Sequence, residues 1–477
     1  MFTLLDGTGR QPRDAQLNVL KWLEENWAKA DAFCILAPTA AGKSLIARSL
    51  QIEFDADLVT INNQLVKQYT DEYKKNGLGY MKATALVGRS NYAAPEVYNH
   101  AKRLSQSDCA RSLVFNPISF CMYRNDVSHI PRRVIILDEA DQHIGLLLEY
   151  ATNKIKISDY EARVYNNTIA SFLRLVEDRL ASLRDKLNKP RRGNKVERDI
   201  AHLSTVKDLI KGNESAYGID FETDLVSKNK YIKACPLFIT KALARKLFGD
   251  AKVILLSGTL FKADVEDLLR GTKTVMYHEV ESPIPISKRR IYYRPCDVEQ
   301  SYGYDVDGVC DFVRELLEEI PIRPAILHTT YTDANKLAIR MPEVLVHNKN
   351  DKEEKLSEIE RDRGTLFACG MSTGVNLNDD KCRLNVILKV RFPNQMSSFI
   401  KKRVALELTT EWHDIQALRE TIQACGRATR GLEDFSVIVI SDSRIIPLIT
   451  RYLHILPKYF KESLVLEAVP IDLGDKK

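Results

Sequence analysis

Seven short β-branched runs alternate with amphipathic stretches along this chain, and that alternation constrains its fold more tightly than anything else in the sequence. The runs occupy residues 33–37, 57–61, 134–137, 253–256, 325–327, 384–388 and 436–440. Apolar strands of this length, separated by helical segments, bury both faces as the strands of covered parallel sheets do. Four runs precede residue 260 and three follow residue 320. Between them residues 281–290 carry two prolines and a basic run, the composition of a linker. The pattern predicts an α/β protein with two parallel-sheet domains and a boundary near residue 284.

The interval 150–230 differs from both. Leu173, Val176, Leu180, Leu183 and Leu187 recur at spacings of three and four, which makes one face of a helix apolar. The breaker-rich basic turn Asn188-Lys-Pro-Arg-Arg-Gly-Asn-Lys195 follows, and then a second helical pattern through Leu203, Val206, Leu209 and Ile210. A helical hairpin inserted into the first domain fits this best; charge alone is equally consistent with ordinary core packing beside a solvated loop. The expected units are thus 1–149 with 231–284, the insertion 150–230, and 285–477.

Composition narrows the function classes. With 477 residues, 70 Lys plus Arg against 64 Asp plus Glu, a net charge of +6 and 44% hydrophobic residues, the chain is no mini-protein, disordered tail or supercharged binder. No window approaches the ~18 apolar residues of a membrane span, and the first residues lack a basic region followed by an apolar one. The nine cysteines include no C-x-x-C pair and read as reduced thiols. A soluble, unexported, cytoplasmic protein is expected.

Three strings carry chemistry. Ala37-Pro-Thr-Ala-Ala-Gly-Lys-Ser44 follows the first strand and opens a helical stretch. Backbone N–H groups of Thr39, Ala40, Ala41 and Gly42 at a helix N-terminus can face a phosphate, Lys43 can reach its outer oxygens, and Ser44 can ligate Mg²⁺. Val134-Ile-Ile-Leu-Asp-Glu-Ala-Asp141 is an apolar strand ending in acids. Asp138 is placed for the Mg²⁺ shell and Glu139 to orient or deprotonate a water. Gln423-Ala-Cys-Gly-Arg-Ala-Thr-Arg430 sets Arg427 and Arg430 three apart on one helical face. Two guanidinium forks there can neutralise a transferring phosphoryl group, with ATP lying between the domains. Gln423, Arg427 and Arg430 are therefore catalytic candidates together with Lys43, Asp138 and Glu139.

In this order the strings resemble a superfamily 2 helicase, and the details resemble its XPD/DinG branch. Arg13-Asp-Ala-Gln16 is similar to the family's adenine-reading element, which assigns Arg13 and Gln16 to the nucleotide. Thr60-Ile-Asn-Asn-Gln-Leu-Val-Lys-Gln68 resembles an element on the DNA track, and Val87-Gly-Arg-Ser-Asn-Tyr92 matches a string of DinG-like proteins. Val114-Phe-Asn-Pro117, Leu255-Leu-Ser-Gly-Thr-Leu260 and Ile326-Leu-His-Thr-Thr-Tyr331 continue the likeness. The stretch 366–377, which carries Gly374 and Asn376, resembles motif V, and 423–430 resembles motif VI. The resemblance implies two RecA-like domains with an arch-like insertion, and nucleotide contacts from Gly374 and Asn376. It also implies a track of Asn62, Gln64, Arg89, Asn116, Thr329 and Thr330 along the nucleic acid; by residue type alone each could equally be a cap or turn residue.

Departures from the family matter equally. Ala93-Ala-Pro95 stands where the first cysteine of an iron–sulfur cluster is usual, and only Cys109 and Cys121 remain before Asp138, so no iron–sulfur cluster is expected. Asp141 replaces the family's His, which alters how the acid strand couples to Ser257 and Thr259. Asn376 stands where motif V usually has Asp. The function implied is an ATP- and Mg²⁺-dependent, nucleic-acid-stimulated ATPase that tracks on single-stranded DNA and unwinds forked duplex, 5′→3′. It would work as a monomer without a membrane, in the repair or replication of DNA in a bacterial or phage-infected cell. Two alternatives remain at this point: a remodelling or annealing motor on duplex DNA or RNA, and a binding protein with a degenerate nucleotide site. With 36 residues ahead of the phosphate loop, no fused nuclease is expected.

Overall fold

A computed structural model describes residues 12–75, 84–87, 113–126, 134–166, 168–187, 194–224, 228–296, 305–348, 351–371, 377, 381–393, 398–407, 411–429, 431, 434–467 and 470–471. The chain enters its first sheet through β1 (Ala32–Leu36), β2 (Asp57–Val59), β3 (Thr84–Leu86), β4 (Leu113–Phe115) and β5 (Val134–Asp138). It leaves for β6 (Asn153–Ile157), β7 (Tyr217–Thr223) and β8 (Lys230–Pro236), then returns as β9 (Lys252–Ser257) and β10 (Val275–Glu279). A second sheet takes β11 (Ile291–Tyr293), β12 (Ala325–Thr329), β13 (Leu345–Val346), β14 (Thr365–Cys369), β15 (Leu384–Ile387), β16 (Val437–Ile440) and β17 (Leu464–Val465).

Among the described residues both large sheets are parallel, in the orders β10-β1-β9-β5-β2-β4-β3 and β13-β14-β12-β15-β16-β11-β17. The seven runs read from sequence are β1, β2, β5, β9, β12, β15 and β16, all buried along most of their length, while β14, buried at all five residues, is not among them. Strands β3, β4 and β11 have three residues each, too few to show a period; β2 is equally short and is legible because its apolar run continues to Ile61.

Register places the site. Leu36 pairs with Ser257, and Asp138 pairs with Leu256, so the segments leaving β1, β5 and β9 emerge side by side at one sheet edge. Ligands of open α/β sheets bind beyond this carboxyl edge. In the second domain the helix Glu411–Cys425 buries Ile415, Leu418, Ile422 and Cys425, spaced three and four apart, against Ile387, Ile438 and Ile440. Asn385 of β15 donates Nδ2–H to the Ala424 carbonyl at 2.9 Å and pins the helix end. The first domain is met through buried ion pairs of Arg419 with Asp264 and of Arg403 with Asp267, both acids on the helix Lys262–Leu269.

The insertion holds the expected helical hairpin, Ile169–Leu187 and Asn194–Ile210, but the helices are only half of it. They pack on an antiparallel sheet in the order β6-β8-β7, over a core of Phe172, Val176, Leu180, Val206, Ile219 and Ile232. Lys154-Ile-Lys-Ile157 alternates with period two, the mark of a half-buried strand, whereas the sequence reading sought continuous apolar runs. The insertion is therefore a mixed α/β unit rather than a purely helical one.

Candidate active site

The loop from Ala37 to Ser44 wraps the start of the helix Lys43–Phe54, whose N-cap Gly42 has φ 82°. Glycine is needed twice over at this position. The left-handed backbone favours it, and a Cβ there would lie 1.9 Å from Nε2 of Gln16. Gly42→Ala is expected to cost roughly 1–3 kcal/mol in a denaturant unfolding series, since an L side chain is strained at this left-handed φ and Gln16 must swing aside. Ala40 is itself left-handed at φ 68°, a strained backbone for a residue that carries a Cβ. Arg13 donates to the Ala40 carbonyl, and Gln16 reaches the Gly42 carbonyl at 3.5 Å. These two residues brace the loop from the helix Asp14–Asn26.

Lys43 donates Nζ–H to the Ala37 carbonyl at 3.2 Å and lies 3.9 Å from Glu139. Asp138, at the end of β5, is buried beside Glu139, and burial followed by that neighbouring charge pushes its carboxyl up to about 6. Tyr69 donates its hydroxyl to Asp138 Oδ2 at 2.9 Å and also lies within hydrogen-bonding reach of Ser44. His143, whose titration burial pushes down to about 4, donates Nε2–H to the Asp138 carbonyl at 2.9 Å. Glu139 adopts φ 54° as N-cap of the helix Ala140–Tyr150, which turns its side chain out of strand register.

Asp141 is the most heavily engaged of the three acids. One of its oxygens accepts from Ser257 Oγ at 2.5 Å. The other accepts from Thr259 Oγ1 at 2.9 Å and from Gln423 Nε2 at 2.6 Å. Gln423 also donates to Thr259 Oγ1 at 3.0 Å. Thr39 Oγ1 crosses to the Gly426 carbonyl at 3.1 Å, and the Tyr459 hydroxyl crosses to the Gly258 carbonyl at 2.9 Å. A cavity of about 280 Å³ lies between these walls. Lys43, Ser44 and Glu139 line it from the first domain, with Gln423, Arg427 and Tyr459 from the second. Burial pushes the Arg427 guanidinium down, against the opposing pull of Glu139 and Asp141.

Arg430, Gly374, Asn376 and Arg89 lie outside the described residues, as does Cys109. Of the remaining track candidates, Asn62, Asn116, Thr329 and Thr330 sit at or just past the carboxyl ends of strands, and Gln64 lies in the first turn of the helix Asn63–Lys75. Asn62 Oδ1 accepts from Leu65 N at 2.9 Å, Asn116 Oδ1 from Ser119 N at 2.7 Å, and Thr330 Oγ1 from Asp333 N at 3.2 Å. Each of these three thus caps a helix start, the alternative their residue types left open. Gln64 is exposed, whereas Thr329 is buried. Sequence reasoning missed Tyr69 and Tyr459. Tyr69 directly follows the string ending at Gln68, and no local pattern marks Tyr459.

A helicase C-terminal domain model matches residues 316–463. A probable ATP-dependent helicase of Methanocaldococcus jannaschii is 22% identical over 250 residues, covering 46% of this chain and 38% of its own length. The chain thus spans well under half of that curated relative. An XPD helicase structure aligns with a TM-score of 0.59 at 16% identity, covering 96% of this chain and 100% of its own. Xpd4 of S. tokodaii aligns with 0.58 at 15% identity over the same shares. The fold is that of these XPD structures, with two RecA-like domains built on parallel sheets. The chain thus carries a helicase C-terminal domain over residues 316–463 within an architecture that shares the fold of these XPD structures.

Proposed function

We propose that the protein is an ATP-driven helicase that tracks along single-stranded DNA and separates forked duplex, travelling 5′→3′. The observation that carries this reading is the composition of the interdomain cavity. Lys43 and Glu139 on one wall face Gln423 and Arg427 on the other, so nucleotide occupancy and domain closure are one event. Lys43 would exchange the Ala37 carbonyl for the outer phosphates. Glu139 would orient the attacking water and take its proton, and Arg427 with Arg430 would neutralise charge growing on the phosphoryl oxygens. Arg13 and Gln16, which brace the loop, would hold the base side, and Gly374 and Asn376 would join from motif V.

Asp138 and Ser44 fit a Mg²⁺ ion. Asp138 is buried beside Glu139, a pair of acids that the Lys43 charge offsets only in part, and Ser44 shares the Tyr69 hydroxyl with it. No group of three or more His, Cys, Asp or Glu suited to a metal exists among the described residues. A cation held by Asp138 and Ser44 would share its shell with phosphate and water. When bound, the ion would neutralise phosphate charge.

Asn62, Gln64, Arg89, Asn116, Thr329 and Thr330 remain the proposed track. Its phosphate contacts would come largely from backbone N–H groups at the helix starts that Asn62, Asn116 and Thr330 cap. No described helix is long and apolar enough to cross a membrane. The scarcity of cysteines before Asp138 favours a protein without an iron–sulfur cluster, and with it a second reading as a duplex-remodelling motor. Duplexes bearing a 5′ or a 3′ single-stranded tail separate these readings. The first predicts unwinding of the 5′-tailed substrate. Unwinding of the 3′-tailed substrate alone would reverse the direction, and unwinding of neither would favour remodelling.

A further inference from the structure

Tyr459 stands outside every motif, yet it reaches the centre of the site. It sits on the short helix Lys458–Lys461 of the second domain, lines the interdomain cavity, and donates its hydroxyl to the Gly258 carbonyl of the first domain at 2.9 Å. Gly258 lies between Ser257 and Thr259, the two hydroxyls held by Asp141. A Cβ built on Gly258 would lie 3.7 Å from Lys43 Nζ and 3.8 Å from the Tyr459 hydroxyl, so the phenol and the phosphate-loop lysine share one corner of the cavity. Burial pushes the phenol up, which keeps it a neutral donor.

The segment carrying Tyr459 is gripped by the interdomain linker. Arg289, buried, donates Nε–H to the Ile284 carbonyl at 2.9 Å and its other nitrogens to the Tyr459 carbonyl, Ser463 Oγ and Glu462. Ile291 N, at the start of β11, donates to the Ser463 carbonyl at 2.8 Å. On the first-domain side Lys458 N donates to Glu279 at the end of β10, and Lys458 Nζ lies 3.0 Å from Glu281. One short turn thus holds the linker, the edge of the first sheet and the Ser257-Gly258-Thr259 turn together.

We infer that Tyr459 is a positioning residue that fastens the Ser257-Gly258-Thr259 turn to the second domain and makes closure of the cleft depend on that bond. This inference rests on the nucleotide-driven closure proposed above and names a group that regulates it. The bond forms only when the domains meet. Linker movement reaches it through Arg289, and the turn it holds is the one that Asp141 ties to the acid strand.

Tyr459→Phe keeps the cavity wall and deletes the hydroxyl. In the full chain carrying a donor and an acceptor dye on the two motor domains, three quantities decide the matter: affinity for a fluorescent ADP analogue, ATP turnover with single-stranded DNA, and the fraction of molecules closed with ADP and beryllium fluoride. With Tyr459→Phe, affinity should stay within about twofold of wild type, while turnover and the closed-to-open ratio each fall about fivefold, the worth of one interdomain hydrogen bond. Tyr459→Ala, which also opens the wall, should weaken affinity as well; should it fail to fold, Tyr459→Phe alone decides. A Tyr459→Phe protein that closes and turns over like wild type, with or without a lower melting temperature, overturns the inference. Wild-type protein that binds no nucleotide overturns the motor reading and this inference with it.

Discussion

Replacing Glu139 by Gln is expected to leave nucleotide binding within a few-fold of wild type and to lower stimulated ATP turnover by at least about 100-fold. Carboxylate and carboxamide are nearly isosteric, so the left-handed turn at φ 54° and the helix Ala140–Tyr150 that it starts should persist. What disappears is the ability to accept a proton from water. Glu139 is suited to that task because it lines the cavity beside Lys43, whereas Asp138 behind it is committed to the Tyr69 hydroxyl. Lys43 loses only a contact at 3.9 Å, so the lysine remains free to meet phosphate. Single-turnover hydrolysis measured alongside equilibrium nucleotide binding separates the two effects. Turnover equal to wild type would remove Glu139 from the mechanism.

Asp141→Ala should have the largest effect on stability, about 3–5 kcal/mol, the usual result of removing one partner from a buried charged network. The side chain is fully buried and accepts from Ser257, Thr259 and Gln423, with Arg419 3.9 Å away. Alanine strands the buried Ser257 and Thr259 hydroxyls, strips the half-buried Gln423 amide of its carboxylate acceptor and leaves Arg419 with Asp264 as its carboxylate partner. Asp141→Asn keeps one acceptor oxygen but brings an amide donor against donors, so an intermediate loss is expected. Chaotrope unfolding of the three proteins gives the ranking. A loss below about 1 kcal/mol for alanine would show that the Ser257, Thr259 and Gln423 groups find other partners.

The helicases whose strings this chain resembles usually carry His at this position, whereas one carboxylate here takes three donors from two domains. A neutral imidazole has a single acceptor nitrogen and could not do the same. The departure was legible in the sequence, but its partners were not. Gln423 is 282 residues from Asp141, and no local spacing reports such a contact.

That contrast runs through the molecule. The phosphate loop and the acid strand were readable because their chemistry needs neighbouring residues on one strand–loop–helix unit. The two-domain sheet architecture was readable because strands such as β1, β5 and β9 are buried on both faces and so carry unbroken apolar runs. The sheet of the insertion was written in plain alternation at Lys154-Ile-Lys-Ile157, a different period from the one sought. Tyr69 and Tyr459 were invisible because their hydrogen bonds cross 69 and 201 residues. Asn62, Asn116 and Thr330 came to notice through strings resembling the DNA track, and in the fold they cap helix starts.

The central claim, that an interdomain nucleotide site drives movement on single-stranded DNA, is tested most directly by ATP turnover measured in parallel with single-stranded DNA, duplex DNA and RNA, using Lys43→Ala as the blank. Single-stranded DNA should stimulate wild-type turnover most strongly and Lys43→Ala should remain at background. Stimulation by duplex alone would contradict strand tracking, and no hydrolysis with any polynucleotide would contradict the motor itself.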